Sequence, residues 1–157
     1  MILNDAGLKD RNAWQKAGFE LPRFDRAEVR EKTMKSPVWL HFGAGNIFRG
    51  FPAALQQKLL NDGKSDKGII VCEGYDTEII DRIYQPHDNL CVLVVLKPDG
   101  NMEKKVIGSV VESLTVDSSR PDNWKALQNI FANPSLQMVS FTITEKGYSL
   151  TNAKGEY

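Results

Sequence analysis

The segment Gly43-Ala44-Gly45-Asn46-Ile47-Phe48-Arg49-Gly50 constrains the fold of this 157-residue chain more than any other. It separates two stretches of different hydrophobic period. Before it, Val38-Trp39-Leu40-His41-Phe42 is short, mostly apolar and ended by glycine, which predicts a buried strand. After it, Ile47, Phe51, Leu55 and Leu59 recur every four residues, with Phe48 and Ala54 beside them. Gln56, Gln57 and Lys58 fall on the other side. That pattern predicts an amphipathic helix ending at Asn61-Asp62-Gly63. Pro52 lacks a backbone donor, so it must lie near a first turn, or that turn must be loose.

A glycine turn between strand and helix suits a phosphate-bearing cofactor. The first glycine permits a sharp turn. The second removes a Cβ, so the backbone can approach a pyrophosphate, and free amides at the helix start face the anion. Gly50 would let the helix pack close to the sheet. The spacing is Gly-x-Gly-x-x-x-x-Gly, with Phe48 where a third glycine is usual. Gly45 and Gly50 also match the first half of a P-loop, but Phe51 and Pro52 replace its Lys and Ser or Thr. Nucleoside triphosphate hydrolysis is thereby disfavoured. Glycines that serve packing alone are the plainer alternative.

A second strand is predicted at Gly68–Glu73. Glu73, 23 residues beyond Gly50, stands where a strand-end acid accepts hydrogen bonds from an adenosine ribose. Gly74 and Tyr75 follow it, with no cation for a 2′-phosphate, so NAD is favoured over NADP. Tyr75 suits either adenine packing or plain packing.

The rest of the chain continues the alternation. Ile79, Ile80, Ile83 and Tyr84 suggest a short helix ended by Pro86, and Leu90–Leu96 a near-continuous apolar strand. Pro98–Asn101 reads as a turn. Lys104–Ile107 and Val110–Val116 read as further strands, antiparallel to their neighbours. A helix over 122–131 would place Trp124, Leu127, Ile130 and Phe131 on one side, and Leu136–Ile143 is the last strand. The expected architecture is α/β: a mainly parallel sheet with helices on both faces and an antiparallel excursion around 97–116. Residues 1–36 are charge-rich, broken by Pro22 and closed by Pro37. They read as an arm anchored by Trp14, Phe19 and Phe24, with residues 37–157 forming the cofactor-binding unit.

Composition narrows the partners. Twenty basic and twenty acidic residues cancel, leaving no global field for nucleic acid or an anionic membrane. No apolar run is long enough to span a bilayer, and Met1–Trp14 lacks a signal-peptide core. Cys72 and Cys91 are spaced neither as a metal knuckle nor as a redox pair. A cytoplasmic setting is expected.

Several of these stretches resemble one known group. Leu40–Phe51 is very similar to the cofactor turn of the polyol-specific long-chain dehydrogenases, which include mannitol dehydrogenase and fructuronate reductase (mannonate oxidoreductase). Pro22-Arg23-Phe24-Asp25-Arg26 resembles the segment before that group's first strand. Asp88-Asn89-Leu90 and Ile107-Gly108-Ser109 resemble its middle segment, and Ser140-Phe141-Thr142-Ile143-Thr144-Glu145-Lys146-Gly147-Tyr148 is similar to its Thr-Glu-Lys-Gly-Tyr strand ending. The likeness runs over residues 21–150.

The resemblance implies a Rossmann-like fold and an NAD-dependent oxidoreductase. Hydride would pass between NAD(H) and a secondary alcohol of a sugar alcohol or sugar acid, mannonate/fructuronate or mannitol/fructose. It implies that Gly43, Ala44, Gly45, Asn46, Ile47, Phe48 and Arg49 cradle the pyrophosphate and that Glu73 holds the ribose. Thr144 would lie at the cofactor, with Glu145 and Lys146 near the substrate. The group's general base is a lysine in a second, mainly helical domain, and nothing in this chain matches that region. The chain is expected to bind cofactor without turnover, with the C-terminal domain as its missing partner. Lys146 reads as a cofactor-edge or structural residue, His41 as a satisfied core or near-site histidine, and His87 as a loop residue. A non-catalytic nucleotide-binding module and an S-adenosylmethionine-binding domain are the alternatives; titration with NADH and S-adenosylmethionine separates these cofactors.

Overall fold

The structure, a computed structural model, describes residues 1–143. Four strands form one parallel sheet: β2 (Trp39–Phe42), β3 (Ile69–Glu73), β6 (Val110–Thr115) and β7 (Met138–Phe141), in the order β6-β3-β2-β7. A smaller sheet holds β1 (Phe19–Glu20), β4 (Cys91–Leu96) and β5 (Met102–Ile107), in the order β1-β5-β4. The α-helices are α1 (Arg11–Lys16), α2 (Arg26–Lys35), α3 (Asn46–Gly50), α4 (Pro52–Asn61) and α5 (Pro121–Ala132). A π-helical turn at Ile80–Tyr84 and a 3₁₀ turn at Gln85–His87 lead into β4.

The parallel sheet is covered on both sides, so its strands alternate between two apolar cores. Ile69 and Val71 join Phe48, Ala53, Ile80 and Tyr84 on one face. Ile70 and Cys72 join Leu40, Leu114, Leu127 and Ile130, beneath α5, on the other. The Rossmann-like expectation holds, with three differences. Val110–Thr115 is not antiparallel: it runs parallel to β3 as an outer strand of the main sheet. The antiparallel excursion is the β4–β5 hairpin, turned at Gly100 with φ +83°. The near-continuous apolar run of β4 is an edge strand of the small sheet, with Val92 and Val94–Leu96 exposed.

The third difference concerns the helix after the glycine turn. Pro52 splits it into α3 and α4, where the proline occupies the first helical position and needs no donor. The apolar row predicted to be its packing face points outward: Ile47 is 72% exposed, Phe51 64%, Leu55 51% and Leu59 42%. Ala53, Gln56, Gln57 and Leu60 are buried instead. Both glutamines find specific partners. Gln57 Nε2 donates to the Val106 carbonyl (2.8 Å), and its Oε1 accepts from Gly108 N–H (2.6 Å). Gln56 Nε2 donates to Lys67 O and Ser65 Oγ. Similarly, α5 buries Leu127 and Ile130 but leaves Trp124 and Phe131 largely exposed.

Residues 1–36 lie against the body of the protein. Leu8, Trp14 and Leu21 are buried with Leu90 and Val106, Phe19 packs edge-on to Trp14, and β1 pairs with β5. Phe24 is half-buried against Val29, Leu60 and Val111. Arg26 fastens this region: its guanidinium donates to Asp5, to the carbonyl of Asp88 (2.6 Å) and to that of Gly108. A Cβ at Gly108 would lie 2.8 Å from that guanidinium, so the glycine makes room for it.

Candidate cofactor site

Three strands deliver their carboxyl ends to one rim. β2 ends at Phe42, just before Gly43; β3 ends at Glu73; β7 runs into Thr142. The order β6-β3-β2-β7 reverses direction between β2 and β7. Ligands of open α/β sheets collect at such a switch point, outside the carboxyl ends.

The two glycines of the turn have different physical duties. Gly43 has φ +108°, and a Cβ there would lie 2.7 Å from the Thr142 carbonyl and strike its hydroxyl. It is glycine because the backbone and its neighbour require it. Gly45 has φ −75° and ψ −174°, a conformation open to any residue. A Cβ there would meet nothing within 4 Å. Neither strain nor packing requires glycine at position 45; what its small size preserves is open space. At Gly50 a Cβ would make an ordinary 3.7 Å contact with Leu93, so close helix packing does not demand that glycine.

Buried groups hold the turn. Gly43 N–H donates to Cys72 O (2.9 Å) and Ala44 N–H to Glu73 Oε2 (2.8 Å). The hydroxyl of buried Tyr84 donates to Ala44 O (2.9 Å). The protein has no cis peptide among its described residues, so the Gly45 N–H points opposite to that carbonyl, away from Tyr84. The amides of Gly45, Asn46, Ile47 and Phe48 find no acceptor among the described residues. They are the unpaired donors of a helix start, available to an anion.

The side chains of the predicted cradle divide. Phe48 is fully buried and stacks on His41 at 4.2 Å, so only its backbone can serve a ligand. Ile47 is exposed, Arg49 donates to Asn46 Oδ1, and the guanidinium lies 6.0 Å from the Tyr84 ring. A cavity of about 290 Å³ flanks the turn, lined by Asn46, Arg49, Gly50 and Cys91–Val94. Glu73, expected from the sequence to hold a ribose, spends most of its carboxylate on backbone amides at the turn and its own strand end. Its Oε1 accepts from Gly74 N–H (3.0 Å) and Tyr75 N–H (2.9 Å), and its Oε2 from Ala44 N–H. Three of the carboxylate's roughly four acceptor positions are thus occupied by backbone. Tyr75 is 98% exposed. Thr144, Glu145 and Lys146 lie outside the described residues.

His41 is buried and satisfied, its Nδ1 2.7 Å from Ser140 Oγ and its Nε2 3.2 Å from Thr142 Oγ1. Burial pulls its imidazole down to about 4, partly offset by the Gly43 backbone. Burial likewise pushes the Cys72 thiol up to about 12, helped by the Glu73 charge, and Cys91 to about 11. Neither thiol is a nucleophile near neutrality. No metal-binding group of His, Cys, Asp or Glu exists among the described residues, and no described helix is long and apolar enough to cross a membrane. The sequence assigns Tyr84, Ser140 and Thr142 no role at the site. The alternation of Ser140 and Thr142 along one strand face was the available signal for two of them.

No protein-family model matches the chain. Individual relatives do. The chain is 53% identical to the D-mannonate oxidoreductase of Thermotoga maritima over 155 residues, which is 99% of this chain and 29% of that protein. Its relatives are named for oxidation and reduction of mannonate and of polyols. It is 33% identical to the D-mannonate oxidoreductase of Escherichia coli over 140 residues, covering 86% of this chain and 26% of that one. It superposes on the Pseudomonas fluorescens mannitol 2-dehydrogenase, solved as a ternary complex with NAD and D-mannitol, with a TM-score of 0.76 at 27% identity. That match covers all of this chain and 30% of the other. The chain therefore spans under a third of the length of these relatives.

Proposed function

We propose that this chain is the cofactor-binding part of an oxidoreductase that moves hydride between NAD(H) and a secondary alcohol of a sugar alcohol or sugar acid. Mannonate/fructuronate is the first choice of substrate and mannitol/fructose the second. NAD(H), when bound, supplies the hydride chemistry itself. This chain's part is to bind and orient it. The free amides of Gly45–Phe48 take the diphosphate, and Asn46 and Arg49 line its flank. Glu73 shapes the turn and offers its remaining acceptor position to the ribose. Thr144 stands at the cofactor, with Glu145 and Lys146 toward the substrate. Residues 1–36 act as an arm on the unit 37–157, and the setting is cytoplasmic. The relatives' greater length supports assigning proton abstraction and substrate choice to parts beyond this chain, so that it binds cofactor without turnover.

The observation that carries the reading is the open space over Gly45, a position whose backbone any residue could adopt. Titration of the chain with NADH, NADPH and S-adenosylmethionine tests it. NADH is expected to bind, NADPH more weakly because Glu73 is followed by no cation, and S-adenosylmethionine not at all. Gly45→Val should fold with an unchanged melting temperature and lose NADH. A folded Gly45→Val that binds as well as the parent would reject this geometry.

A further inference from the structure

A chain of side-chain hydrogen bonds links the middle of the sheet to the glycine turn. Trp39 and His41 share one face of β2, and His41 sits in register with Ser140 of β7. The Trp39 indole can only donate, and it donates to Ser140 Oγ (2.7 Å). The serine oxygen has a second lone pair, so two arrangements exist; in one, the serine proton goes to its other neighbour, His41 Nδ1 (2.7 Å). That leaves the ring proton on Nε2, which donates to Thr142 Oγ1 (3.2 Å). The threonine proton then goes to the Gly43 carbonyl (3.2 Å). In this arrangement every member donates once and the Gly43 carbonyl is held; in the opposite tautomer Ser140 accepts twice, Thr142 donates to Nε2 and that carbonyl loses its donor. The ring is 2% exposed and stacked on Phe48 with planes 10° apart, so its plane is fixed between the two hydroxyls.

The end of this chain coincides with the weakest point of the turn. Gly43, at φ +108°, is free of the side-chain sterics that keep peptide planes from rotating. The Gly43–Ala44 peptide is gripped from both sides instead. Its carbonyl accepts from Thr142, just past the end of β7, and its N–H donates to Glu73 on β3. Turning this one plane would re-aim the amides that follow it.

Resting on the cofactor reading above, we propose that His41 is a positioning residue. Acting through Thr142, it fixes the Gly43–Ala44 peptide and thereby the direction of the amides that receive the diphosphate. Four variants test it. Thr142→Val keeps the shape but loses the hydroxyl; Thr142→Ser keeps the hydroxyl. His41→Gln places a donor where Nε2 was; His41→Asn matches only the Nδ1 side. NADH affinity should fall about tenfold in Thr142→Val and His41→Asn, the scale of one hydrogen bond. It should stay within about twofold in Thr142→Ser and His41→Gln. A purely structural role would instead lower melting temperatures and leave the affinity of the folded variants alike. The amide resonances of Ala44 and Gly45 in the free chain give the second readout, moving in the first pair and not in the second. If the parent chain binds no NADH, the cofactor reading fails, while those resonances still decide the positioning role. Unmoved resonances in Thr142→Val, or unchanged affinity in a chain that does bind, overturn the proposal.

Discussion

At the scale of single residues, position in the sheet decides what an ionisable group can do. His41 looks like a candidate acid or base in the sequence. Buried between two hydroxyls and a phenyl ring, it is held neutral, its imidazole lowered from an ordinary 6.5 to about 4. A depressed histidine stabilises the fold while the solution is above the unfolded value. Between pH 6.5 and 4 the unfolded chain takes up a proton that the native ring refuses, so stability falls as pH falls through that window. Below pH 4 both states carry the proton and the loss is complete. The size is on the order of 3 kcal/mol. Asp81, Asp99, Glu103 and Asp117 are held below the ordinary carboxylate range by their hydrogen-bond partners, so they add to the loss only from the acid end of the window downward. Urea midpoints measured at pH 7 and pH 4.5 should separate in the parent chain and converge in His41→Gln.

At the scale of elements, α4 shows how hydrophobic period can mislead. Ile47, Phe51, Leu55 and Leu59 form a regular row, yet the helix turns its glutamines inward. The inner surface here offers the Val106 carbonyl and the Gly108 amide, which need a polar partner more than the site needs another apolar one. Gln57 meets both with one side chain. Gln57→Leu should therefore cost about 1–3 kcal/mol, since it leaves buried backbone groups unpaired. Leu55→Gln, on the exposed row, should change stability by no more than about 0.5 kcal/mol. Denaturant unfolding of the two variants checks the contrast, and the opposite order would restore the face expected from periodicity. Pro52 was the warning in the sequence: it interrupts the row where the helix breaks and re-aims.

At the scale of the whole molecule, three stretches that look like separate family signatures meet at one guanidinium. Arg26, from Pro22–Arg26, bonds the carbonyls of Asp88 and Gly108, each from another of those stretches. The amino-terminal region, the turn before β4 and the end of β5 are closed by a single fork. Arg26→Ala should lower stability by about 1–3 kcal/mol and open the first 25 residues to protease before the parallel sheet is cut. Arg26→Lys should not rescue it, because an ammonium lacks the planar fork that reaches all these acceptors. Limited proteolysis followed by mass spectrometry reads both effects.

The α/β class, the strand before the glycine turn and the acid ending β3 were legible in the sequence, because each rests on local chemistry: period, glycine spacing and strand-end position. The same local rules could not say which sheet β4 joins, that β6 runs parallel, or which face of α4 is buried. Those depend on partners far along the chain. Nor could they assign Tyr84, Ser140 and Thr142 to the turn, since nothing in a sequence shows that residues some 40 and 100 positions away hold its carbonyls. The sequence alone determined that this chain can bend sharply beside an acid. Only the tertiary structure decided where the bend's donors point, because a peptide plane next to glycine takes its orientation from whatever neighbouring strands place against it.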